Sequence, residues 1–138
     1  ASDDGWYMEL PDSGERLVTD PVIRDNLVFF NTMIPDANPC NFGGSSWLMA
    51  AKWINGGSPG EISFDINRDG KLDSHDQIGG DAAVGMSVTG IATSPVNLAN
   101  KRYTSTTETT GGSTIDVTDI KDVAGPDTGR LAWEELTP

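Results

Sequence analysis

Almost every stretch of this chain is cut short by glycine or proline before an amphipathic helix can develop: sixteen glycines and eight prolines are spread through 138 residues. Glycine costs backbone entropy inside a helix, and proline removes a donor and clashes with the preceding turn. What remains between the interruptions is a series of short extended segments, so the sequence predicts a mostly β fold. Residues 1–138 amount to one domain's worth of chain, either a single domain or a fragment of a larger one. Leu, Ile, Val and Phe together number 29, enough for a thin core.

Period and punctuation assign the individual segments. Residues 5–10 (GWYMEL) read as a short aromatic strand closed by a turn over 11–14 (PDSG), where Pro11 sets φ and Gly14 permits the left-handed region. Residues 16–19 and 21–24 read as short or edge strands. Residues 27–34 (LVFFNTMI), bounded by Asp25-Asn26 and Pro35-Asp36, form a continuous apolar run of the right length for a buried strand and are the best core candidate. After a turn-rich loop, residues 47–54 (WLMAAKWI) read as its hairpin partner, and residues 60–64 (GEISF) look strand-like. A Thr-rich hairpin is predicted over 102–109 and 113–120 around Thr110-Gly111-Gly112, with Ile115 and Val117 on one face, and residues 129–136 (GRLAWEEL) form a last short strand. Trp6, Trp47, Trp53 and Trp133 each fall in a predicted strand, which favours packing over a carbohydrate-stacking surface.

Nine basic against 21 acidic residues give a formal charge of −12. That field repels phosphate backbones and anionic headgroups, so nucleic-acid binding and membrane adsorption are poor functions for the chain. No apolar run approaches the ~20 residues of a spanning helix, and Ala1-Ser2-Asp3-Asp4 has neither the basic nor the apolar region of a signal peptide. The lone Cys40 has no internal partner; a buried small residue, or a bridge to chain outside this sequence, is favoured over a reactive thiol.

Carboxylates cluster once. Residues 65–76 read DINRDGKLDSHD, placing oxygen side chains at loop positions one, three, five, nine and twelve, with glycine at six. This is the spacing of an EF-hand-like calcium loop: a hard cation wants six to eight oxygens, and one short loop supplies them only by turning sharply around the ion. Gly70 supplies the turn; Asp65, Asn67 and Asp69 converge at alternate positions; the backbone carbonyl of Lys71 serves where any side chain is acceptable; Asp73 follows, directly or through water. Asp76 stands where the full motif has Glu, and binds through one oxygen or not at all if the loop closes at Asp73. Ca²⁺ suits a flexible all-protein oxygen cage better than Mg²⁺. Because the flanks look strand-like, a structural clip is expected in place of an opening helix-loop-helix switch.

Catalytic signals are missing. His75 is the only histidine and lies inside the loop, and there is no GxSxG, GxGxxG or phosphate loop. Adjacent carboxylates such as Asp3-Asp4 and Glu134-Glu135 read as solubilising charge. The chain is expected not to be an enzyme.

Residues 5–16 (GWYMELPDSGER), Pro21, the 27–34 strand, Pro35, Cys40, residues 43–48 (GGSSWL) and the ending 129–136 together resemble the C-terminal part of PilY-type proteins, the type IV pilus tip-associated adhesins and assembly factors. The resemblance implies a modified β-propeller with an inserted calcium loop of the form D-x-N-x-D-G-x-x-D, matched by Asp65, Asn67, Asp69, Lys71 and Asp73, with Asp76 outside that shorter pattern. It also implies an extracellular protein at the pilus tip or outer surface of a bacterium, acting in adhesion, pilus biogenesis and twitching motility with calcium influencing extension and retraction. The chain holds about two blades' worth of antiparallel strand, so its implied partners are the remainder of the PilY-like protein or pilus tip and minor pilin subunits, or further copies joined through exposed strand edges into a homo-oligomer or filament. Two other classes stay open: a calcium-dependent interaction module of dockerin type, which carries two such loops on helices, and a piece of a quinoprotein-like propeller enzyme.

Overall fold

A computed structural model describes residues 5–38, 43–107 and 115–121, and bears out the mostly β, antiparallel expectation. The strands are β1 (Arg16–Leu17), β2 (Val22–Arg24), β3 (Leu27–Pro35), β4 (Gly44–Lys52), β5 (Gln77–Ile78), β6 (Asp81–Ala82), β7 (Gly85–Thr89), β8 (Val96–Leu98), β9 (Lys101–Ser105) and β10 (Ile115–Asp119). One 3₁₀ turn, Ser74–Asp76, precedes β5. Among the described residues no helix is long and apolar enough to cross a membrane.

The apolar run at 27–34 becomes β3, the spine of the largest sheet. Its partner β4 runs antiparallel from Leu27↔Lys52 to Pro35↔Gly44, and β7 adds to the far side of β4. The other edge of β3 is shared by two short strands, β1 at Thr32 and Met33 and β2 at Leu27 to Phe29. β2 returns into β3 through Asp25-Asn26, both at positive φ, as a two-residue primed turn requires. A three-stranded sheet, β8-β9-β10, and a two-stranded ribbon, β5-β6, complete the described topology.

Several sequence expectations need correction. Residues 5–10 join no ladder, and residues 60–64 contribute only an isolated bridge from Phe64 to Ile120. β4 starts at Gly44 and stops at Lys52, so Trp53 and Ile54 lie in the turn beyond it. Trp6 and Trp53 are therefore outside strands and part-exposed, while Trp47 sits in β4. Ile115 and Val117 do share a face of β10, and that face is exposed. The expectations on Cys40, on the turn at 110–112 and on the strand at 129–136 with Trp133 lie outside the described residues.

The core gathers Phe29, Leu48, Ala50, Met86, Val88 and Ala92 with Phe64 and Ile120. Phe29 and Phe64 meet edge to face, ring centroids 6.4 Å apart. Buried beside them is a cation. Arg102 on β9 is 0% exposed and donates to the carbonyls of Phe30 (3.1 Å) and Met49 (3.3 Å) and to Asn31 Oδ1. Its guanidinium carbon lies 5.6 Å from the ring centroids of both Phe29 and Phe64. Burial pushes Arg102 down to about 9, which leaves it protonated at neutral pH, and the side chain ties the three-stranded sheet to the β3-β4 hairpin. Leu48, fully buried in the same cluster, sets the scale of the apolar core: Leu48→Ala is expected to lose about 3 kcal/mol in urea unfolding, and a loss under about 1 kcal/mol would remove it from the core.

Candidate functional site

Three contacts, two with β10 and one with Ile120 just after it, position the acidic loop over residues 65–76. Phe64 bridges Ile120, the Asp65 N–H donates to the Asp119 carbonyl at 3.1 Å, and Arg68 Nη2 pairs with Asp116 Oδ2 at 2.9 Å. The loop therefore leaves and re-enters the structure through extended backbone, as expected for a loop carried by a β fold. Its sharp turn needs two residues at positive φ, Arg68 (61°) and Gly70 (80°). A Cβ at Gly70 would meet nothing within 4 Å, so only backbone conformation demands glycine there.

The oxygen side chains at the first, third and fifth positions curl onto the loop's own N–H groups. Asp65 accepts from Asp69 N (3.1 Å) and Gly70 N (2.8 Å), one on each carboxylate oxygen. Asn67 Oδ1 accepts from Asp69 N (2.9 Å) and Asp69 Oδ1 from Lys71 N (2.9 Å). Each of these oxygens keeps a second lone pair. Among the described residues no three acidic, histidine or cysteine side chains are already gathered about a common point.

Asp73 caps the 3₁₀ turn, and Asp73 Oδ1 accepts from both the His75 N–H and the His75 ring, each at 2.8 Å. The backbone N–H first, then the ring, hold the Asp73 carboxyl below its ordinary value; the same side-chain hydrogen bond raises His75. The contact is at full strength between the ordinary values of 3.8 and 6.5: it weakens in acid as Asp73 protonates, and in base as pH passes the raised value of His75. Both groups are exposed, so its contribution to stability is small.

Asp76 behaves differently from the other carboxylates. It is 0% exposed; Oδ1 accepts from Ile66 N (2.9 Å) and Asn67 N (3.3 Å), and Oδ2 from Asp73 N (3.0 Å). Oδ1 is thereby saturated and Oδ2 keeps one lone pair. Asp76 thus latches the end of the loop to its beginning. The sequence marks position twelve only as a candidate ligand; the Asp-x-x-Asp spacing of Asp73 and Asp76 is the reciprocal pattern of a capping box and signals the bond to Asp73 N, but nothing local signals those to Ile66 N and Asn67 N.

These features define a class: a mostly antiparallel β protein with one acidic, oxygen-donor loop clipped to the last strand of a small sheet. Across 141 aligned residues, covering 96% of the chain, it is 31% identical to a type IV pilus biogenesis factor PilY1 homolog of Xylella fastidiosa. A 74-residue stretch covering 51% of the chain is 31% identical to the type IV pilus biogenesis factor PilY1 of Pseudomonas aeruginosa. The chain belongs to the PilY-type proteins and matches as a C-terminal region of that type. It spans 11% of the length of the Xylella protein and 6% of that of the Pseudomonas protein. No family model matches the chain, and no solved structure does.

Proposed function

We propose that this chain is a calcium-binding, non-enzymatic part of a type IV pilus biogenesis factor. It works outside the cell, at the pilus tip or outer surface, in pilus assembly, adhesion and twitching motility. The relatives that cover it are named for pilus biogenesis, and that supports the assembly role and action within a pilus complex; the partners we propose there are the rest of its own factor and minor pilin subunits. Its sheets are read as blades of a larger propeller on the strength of the family resemblance.

The observation that carries the calcium reading is the donor set. Asp65, Asn67 and Asp69 each hold at least one oxygen that accepts a single N–H and retains a lone pair, and Asp73 Oδ2 accepts none among the described residues. The donors are all hard oxygens, which fits Ca²⁺. Asp65, Asn67, Asp69, the Lys71 carbonyl and Asp73 would hold the ion, with Asp76 keeping the loop closed and offering at most its remaining Oδ2 lone pair. The ion would neutralise carboxylates that otherwise repel one another, and would stiffen the segment attached to β10 and Ile120 through Phe64, Asp65 and Arg68.

Calorimetric titration of chelator-stripped protein with Ca²⁺ tests this. One saturable site is expected, lost in Asp65→Ala, with a thermal midpoint that rises on adding calcium. At a hundredfold excess over Kd the added stability is about 2.7 kcal/mol. A folded chain that takes up no calcium would reduce the loop to a solvated turn held by its own N–H groups.

A further inference from the structure

A second site lies away from the acidic loop, where the turn after β4 meets the turn between β2 and β3. A cleft of about 710 Å³ opens there, lined by Asp25, Asn26, Lys52, Trp53, Glu61 and Lys121 among others. Trp53 is its aromatic wall and is 48% exposed. It is also fastened at three points. Its backbone N–H donates to the Asn26 carbonyl (3.1 Å), its indole Nε1 donates to Asn26 Oδ1 (3.3 Å), and its carbonyl accepts from the Trp6 indole (2.8 Å).

The turn beneath it is equally built. Gly56 N donates to the Lys52 carbonyl (2.8 Å) and Lys52 N to the Gly57 carbonyl (2.9 Å), and the Trp6 ring lies so close over Gly56 that a Cβ there would fall 2.5 Å from it. Trp53 is thus a preorganised, half-exposed indole whose only hydrogen-bonding group is already used inside the protein. What it has left to offer the cleft is apolar ring surface.

The polar wall narrows the ligand class. Asp25 and Glu61 supply acceptors, Lys52 and Lys121 supply donors, and the two signs balance although the whole chain carries −12. Asp25 pairs with Arg24 and Glu61 with Lys121, whereas the Lys52 ammonium makes no hydrogen bond or ion pair among the described residues and lies along Gly60. A wholly apolar ligand would desolvate these charges without replacing their bonds. A strongly charged ligand would meet like charge on one wall and leave the indole face unused. A pyranose ring satisfies both walls, with an apolar C–H face for the indole and hydroxyls that donate and accept in turn.

We propose that this cleft binds a saccharide, a hexose unit stacking on Trp53 and hydrogen-bonding to Lys52, Glu61 and Asp25. The site shares no lining residue with the 65–76 loop, so it stands or falls independently of calcium. The test is a ¹H–¹⁵N titration of the labelled 138-residue chain with methyl β-galactoside, methyl α-glucoside, N-acetylglucosamine and lactose, following the indole N–H signals. At least one sugar is expected to shift the Trp53 indole signal saturably and leave the Trp47 signal in place. Trp53→Ala should weaken that binding roughly tenfold or more, the usual cost of removing an aromatic anchor. Lys52→Ala, which leaves in place the main-chain bonds that Lys52 makes to Gly56 and Gly57, should weaken it with the spectrum otherwise unchanged, so a folding defect in the tryptophan variant cannot mimic the result. The proposal is overturned if no sugar moves the Trp53 signal up to its solubility limit, or if Lys52→Ala and Trp53→Ala both bind as the wild type does.

Discussion

Replacing Arg102 with Leu is expected to cost about 3–5 kcal/mol, much of what a domain of this size has available. The reason is the set of groups left behind. Buried Asn31 Oδ1 loses its guanidinium donor, and the carbonyls of Phe30 and Met49, which face each other in the β3-β4 ladder, each lose a second donor; a buried acceptor left short costs about 1–3 kcal/mol, and the cation's contact with the Phe29 and Phe64 rings goes with it. The leucine recovers some apolar contact with Phe29 and Phe64, which offsets part of the loss but supplies no donor. Arg102→Lys should rescue little, because a single ammonium cannot reach three acceptors spread over two strands as the planar fork does. Urea unfolding of the two variants decides the matter. A loss under about 1 kcal/mol for both would show that Arg102 does not join the sheets.

The second large effect separates the latch from the ligands. In chelator, Asp76→Ala should destabilise the protein by about 2–4 kcal/mol, because three N–H groups, those of Ile66, Asn67 and Asp73, lose one acceptor side chain. Asp76→Asn should fall between, since its amide oxygen can serve one side of the loop while its NH₂ faces a donor on the other. Asp69→Ala should have the opposite profile. Its side chain is exposed and accepts from Lys71 N and Asn67 Nδ2, so the metal-free protein should unfold almost as the wild type does, while the calcium-induced rise in thermal midpoint disappears. Thermal unfolding in chelator and in excess calcium gives both comparisons at once. Interchanged results, with Asp69 needed for metal-free stability and Asp76 only for the calcium shift, would assign Asp76 to the ion and refute its role as a latch.

Legibility in the sequence followed the length and purity of each local signal. The run at 27–34 and its partner were readable because two long, largely apolar segments with flanking turn formers leave few alternatives, and the structure pairs them over nine residues. The segments from Gln77 to Leu98 were not. β5 and β6 have two residues each and β8 has three, too short for any period to register, and they exist because tight turns and the neighbouring strands hold them. The Gly79-Gly80 turn between β5 and β6, with both residues at positive φ, was the one local clue. Residues 60–64 had the composition of a strand but meet only one partner residue, since β propensity states what a surface accepts and not what lies beside it.

What the sequence by itself determined is the class of fold and the position and chemistry of the acidic loop. Glycine and proline exclude long helices wherever they recur, and the contacts of Asp65, Asn67 and Asp69 with the loop's N–H groups run between residues two to five apart, so local spacing alone specifies them. Tertiary structure decided the roles that depend on distant partners. Arg102 lies 71 residues from Asn31, and Trp53 lies 27 from Asn26 and 47 from Trp6, so nothing in their own neighbourhoods marks one as a buried clamp and the other as an exposed platform. Those roles come from burial and from which acceptors and rings lie beside a side chain when the sheets meet, quantities that exist only once the chain has folded.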